Sequence, residues 1–125
     1  MQFSGKQLSV CLFFIMFVYS GVMKVINFDK KVDILGKKTL LPKILNILGM
    51  IGVILLEIIG SIVLVFDTLY ENTVSEQIIK FIYILYFIFL VVVTFLYHPP
   101  NSHMIPFLSN VTTFGGLLYI YFDKF

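Results

Sequence analysis

ILNILGMIGVILLEIIGSIVLVF, the stretch Ile44–Phe66, carries a single charge, Glu57, and is otherwise almost wholly apolar. As a helix rising about 1.5 Å per residue it covers a hydrocarbon core of about 30 Å. Three further runs have the same character. They are Leu8–Ile26, with Lys24 near its end, Ile78–Tyr97, with Lys80 near its start, and Met104–Phe122. The last contains Ser109, Asn110, Thr112 and Thr113. Ten-residue alternation of the kind a lipid-facing barrel requires is absent. In lipid every backbone amide must be paired within its own segment, so these Ile- and Val-rich runs are read as helices despite their β-branching.

The composition of the 125 residues agrees. Hydrophobic residues make up 59%, charged residues 13%, and the mean hydropathy is +1.00. A soluble domain carries about 25% charged residues, so water cannot be the whole solvent of this chain. The expected architecture is all-α, a polytopic transmembrane four-helix bundle forming one membrane domain over residues 1–125. Its helices are placed at about 8–26, 44–66, 78–97 and 104–122. The polar patch of the fourth run leaves a partly re-entrant course open. The first run could serve as a signal peptide, but Tyr19-Ser20-Gly21 is a poor cleavage site, and the run is expected to be retained.

Nine lysines and no arginine stand against seven acids. Nucleic-acid readers rely on arginine forks, and that class is set aside. Cys11 is the only cysteine, which removes intrachain disulfides and multi-cysteine metal centres. His98 and His103 share a short loop with Pro99-Pro100 and lack a nearby carboxylate or thiol, so neither a metal nor a haem is expected.

The connection Asn27–Lys43 is charged. Phe28, Val32 and Leu35 fall on one helical face while Lys30, Lys37 and Lys38 project from it. This suits a short interfacial helix over 28–38, lying in the headgroup layer with snorkelling lysines; a lysine-bearing loop is the other reading. The lysine count, six around the first connection against three on the opposite side, places the first and third connections in the cytosol and both termini outside.

Glu57 is the polar group that most needs an account. An ionised carboxylate at mid-depth costs at least about 2.5 kcal/mol, so it must turn inward, protonated or paired. On a 100° projection it shares an arc with Gly49, Gly52 and Gly60, which would admit a close neighbouring backbone. Asn110 offers a partner across a depth gap of about 10 Å at 1.5 Å per residue. Lys24 can reach inward to a carboxylate or outward to lipid phosphate, and snorkelling is the expected fate. Tyr83 and Tyr86 lie deep enough for their hydroxyls to line a polar cavity. Glu57, Asn110, His98, Tyr83 and Tyr86 are therefore the candidate cofactor-binding residues. Glu57 is either a proton-exchanging or a structural polar group, and no catalytic residue is assigned.

With these residues in view, the sequence resembles the DoxX family of small four-helix membrane proteins. The first helix ends in Phe17-Val18-Tyr19-Ser20-Gly21-Val22-Met23-Lys24, similar to F-x-x-S/A-G-x-x-K, and Glu57-Ile58-Ile59-Gly60 matches E-x-x-G. Phe95-Leu96-Tyr97-His98 follows, and the segment from Phe107 through Asn110, Gly115 and Gly116 to Leu118 resembles F-x-K-N-x-x-x-x-G-G-x-L. The resemblance marks Lys24, Glu57, His98, Asn110, Gly115 and Gly116. Ser109 departs from it, standing where the family often has lysine, and the family pattern puts both termini in the cytosol. It implies an integral membrane accessory or scaffold subunit supporting a redox or detoxification enzyme. The alternatives are a quinone-interacting oxidoreductase subunit using Glu57 as its proton-exchanging acid, and a small metabolite carrier. Quinone is the one cofactor this entertains. The expected partners are the lipid bilayer, a membrane or peripheral protein, and, in a homo-oligomer, a second copy.

Overall fold

A computed structural model describes residues 5–70, 74–97, 101 and 104–125. They form five helices and no strand. We number them α1 (Gly5–Ile26), α2 (Phe28–Thr39), α3 (Lys43–Leu69), α4 (Glu76–Tyr97) and α5 (Met104–Lys124). α1, α3, α4 and α5 are each long and apolar enough to cross a membrane. Large apolar side chains such as Leu12, Ile15, Ile51, Ile62, Phe81 and Ile88 are exposed along them. That inside-out distribution belongs to a protein solvated by lipid. The chain is a multi-pass integral membrane protein. The helices run up to three residues beyond the expected spans, because a polar terminal turn continues the backbone ladder past the apolar core.

The chain divides into two compact units, Met1–Ile82 and Tyr83–Phe125, with the boundary inside α4. In the first, α1 packs along α3 through Val10, Phe14, Phe17 and Gly21, spaced at helical intervals and buried. The buried residues of α3 are Asn46, Met50, Glu57, Gly60, Ser61, Leu64 and Asp67. Asp67 reads in sequence as a loop acid; it lies instead within the last turns of α3 and is buried.

Asn27 separates α1 from α2. Its ψ of 37° breaks the helical course, although its amide still donates to Met23 O and its carbonyl accepts from the Lys31 amide. The connecting segment therefore forms a helix, and the expected face is observed. Val32 is buried, Phe28 and Leu35 are half-buried, and Lys30, Lys37 and Lys38 are exposed. Asp29 in its first turn and Lys37 and Lys38 in its last complement the helix dipole.

The α2–α3 turn is pinned by a residue the sequence reading did not single out. Asn46, 3% exposed, accepts from Thr39 Oγ1 at 2.7 Å and donates to Leu41 O at 2.9 Å and Pro42 O at 3.3 Å. Leu40 closes α2 with φ 59°, a left-handed cap more often filled by glycine.

In the second unit, the Tyr83–Tyr97 part of α4 pairs antiparallel with α5 through aromatic rings. Phe95 meets Phe107 at 5.8 Å between centroids, Phe87 meets Phe114 at 5.3 Å, and Tyr83 meets Tyr121 at 5.6 Å. The first and third are edge-to-face and the second is tilted; aromatic pairs contribute about 0.5–1.5 kcal/mol each beyond area burial.

Candidate functional site: a buried ion pair at a π turn

Glu57 is 2% exposed and faces α1. Its Oε1 lies 2.7 Å from Lys24 Nζ, so the lysine turns inward instead of snorkelling. The reason is position. Gly21 stands one turn before Lys24 and is level with Glu57, and a methyl added there would sit 2.6 Å from Ile58 Cγ1 and 3.2 Å from Glu57 Cβ. Only a glycine lets the two backbones come this close, and the lysine chain then needs only one helical turn to reach the acid. Lys24 Nζ also donates to Ser20 Oγ at 2.6 Å, which satisfies one of its three protons. Glu57 Oε1 takes no well-directed hydrogen bond, so the Lys24 contact is held by charge more than by hydrogen-bond direction. Lys24 itself is 19% exposed.

The backbone around Glu57 is also distinctive. Leu56–Gly60 winds as a π turn inside α3. Such turns accommodate an extra residue, widen the ladder locally, and occur often at functional sites. No residue pattern in the sequence announces it.

The other candidates are more dispersed. Gly49 and Gly52 do not admit a neighbour: both are exposed, and an added Cβ would meet nothing within 4 Å. The buried stripe of α3 centres on Asn46, Met50, Glu57 and Leu64, so the expected arc extended from Glu57 to the wrong side. Gly60, by contrast, is buried beside Glu57. Tyr83 and Tyr86 are fully buried. Asn110 is half-buried in α5, Gly116 half-buried and Gly115 exposed. Thr112 and Thr113 donate to the carbonyls of Leu108 and Ser109 in their own helix, which occupies their hydroxyls locally. His98 and His103 lie outside the described residues. Among the described residues no three His, Cys, Asp or Glu side chains converge on a cation.

The arrangement thus defines a class: a polytopic α-helical membrane protein with a charge pair buried between its first and third helices. Comparison with protein-family models, with curated proteins and with solved structures finds no match.

Proposed function

We propose that this chain is an integral membrane accessory or scaffold subunit, DoxX-like in its sequence pattern, that supports a partner redox or detoxification enzyme. The observation that carries the reading is the Lys24–Glu57 pair. The one acid at mid-span is already neutralised by a lysine from another helix, an arrangement suited to bracing α1 against α3. A second support is α5, only 6% of whose most apolar stretch is buried. Ser109, Thr112 and Gly115 are exposed on this spanning helix, a small-residue face suited to another membrane protein or a second copy. The lysines of α2 would contact the partner or anionic headgroups.

The quinone-linked reading has one feature in its favour, the π turn at Glu57. There the carboxylate would exchange the proton, with Lys24 Nζ beside it.

The double variant Lys24→Gln with Glu57→Gln separates the two. It deletes the titratable acid without leaving an unpaired charge. A scaffold retains its partner at unchanged stoichiometry after purification in mild detergent, with mass spectrometry and an optical spectrum on the same sample. Normal protein level with loss of quinone-dependent turnover overturns the scaffold reading in favour of the redox subunit.

A further inference from the structure

α2 does not have room to lie flat. Gly21 is level with Glu57 and Ile58. From that level α1 runs on for only about 7.5 Å to Ile26, whereas α3 extends about 21 Å back to Lys43, at 1.5 Å per residue. Yet α2 ends beside the start of α3, where Thr39 bonds Asn46 and Gly36 lies against its amide. The 12 residues of α2, about 18 Å long, must therefore climb about 13 Å along α3.

This sets the depth of its charges. α3 has 27 residues, or about 40 Å, matching a bilayer with its headgroups and placing Glu57 near the midplane. Asp29 and Lys30 then stand about 10 Å from the midplane and Asp33 about 14 Å, inside a hydrocarbon half-thickness of about 15 Å. All three are exposed. Lysine can snorkel, but an aspartate has no stem with which to reach the headgroups, and intramembrane acids survive by facing protein or water.

We infer that the charged face of α2 borders a water-filled vestibule cut into one leaflet. It reaches at least to Asp29, one to two turns above the partly exposed Lys24 of the ion pair. Lys37 and Lys38 form its rim, and the exposed apolar face of α3, with Leu48 and Ile51, contacts lipid at the same depths. The inference is independent of the scaffold reading, since it rests on depth and charge alone.

Cysteine reactivity tests it, because a thiol reacts as thiolate and therefore needs water. In full-length chain carrying Cys11→Ser, reconstituted in liposomes, single cysteines replace Asp29 and Asp33 on α2 and Ile51 and Leu48 on α3. A charged methanethiosulfonate reagent is supplied on both sides of the membrane. Asp29→Cys and Asp33→Cys are expected to react at least tenfold faster than their depth-matched α3 counterparts. Equal rates in the bilayer overturn the vestibule. So does reaction of the α2 positions only after transfer to detergent, which would mean that protein covers this face. Lys30→Cys replaces Asp29→Cys should the latter not be recovered folded.

Discussion

Removing Glu57 without removing Lys24 should cost the protein more than removing both. The single change Glu57→Gln leaves the Lys24 ammonium with Ser20 Oγ as its remaining polar contact. Breaking a buried pair from one side costs about 3–5 kcal/mol, because an uncompensated charge stays behind. Lys24 keeps 19% of its side-chain surface exposed, so part of its solvation is recoverable and the low end of that range, about 3 kcal/mol, applies. Lys24→Met alone strands the carboxylate, which is 2% exposed, and should cost at least as much. The double variant pairs an amide with an apolar chain of similar length. It is expected within about 1 kcal/mol of the parent, since neutral replacement of a buried pair is often without penalty. The coupling energy is then several kcal/mol. Reversible unfolding in mixed micelles, followed by far-ultraviolet circular dichroism, measures all four corners of the cycle. Added salt should change the coupling little, because the carboxylate is only 2% exposed. Single variants that each cost under about 0.5 kcal/mol, the range of ordinary surface changes, would refute the reasoning. So would a double variant that costs the sum of its parts.

Three further outcomes follow from backbone proximity and from the turn. Gly21→Ala should destabilise by up to about 2 kcal/mol, since an overpacking cost of about 1–3 kcal/mol outweighs the gain in helix propensity of up to about 1 kcal/mol. Gly52→Ala, with open space around it, should be neutral or slightly stabilising in the same unfolding assay. Asn46→Ala strips the hydrogen bonds at Leu41 O, Pro42 O and Thr39 Oγ1. It should cost about 1–3 kcal/mol, read as faster hydrogen exchange confined to residues 37–46.

The four spans were legible because length and hydropathy are the whole requirement for crossing a bilayer, and both can be read one residue at a time. Glu57 was legible as a problem for the same reason: an acid at mid-span has few places to go. Its partner was not. Lys24 sits near the end of an apolar run, where snorkelling is the ordinary outcome, and only the Gly21 contact, a relation between two helices, decides otherwise. Asp67 was misplaced because the spacing of charges in sequence cannot say whether a helix ends before or after its last acid. The Gly49–Gly52 arc failed because a projection shows which residues share a side but not which side a neighbour takes.

The register of α1 on α3 links these points. Had α1 ended level with the start of α3, Lys24 would lie at the headgroups, α2 could rest flat upon them, and Glu57 would face the membrane middle with no cation in reach. Instead, α1 stops at Asn27 while α3 continues, and the deficit has two consequences at once. It brings the last lysine of α1 down to the acid, and it obliges a charged helix to rise through the leaflet beside them. The ion pair and the charged wall of α2 are thus products of one offset. A change that shifts the offset, such as lengthening α1 by one turn before Asn27, should disturb both the stability coupling of Lys24 with Glu57 and the thiol reactivity at Asp29 and Asp33. Loss of one with full retention of the other would show that the two features have separate causes.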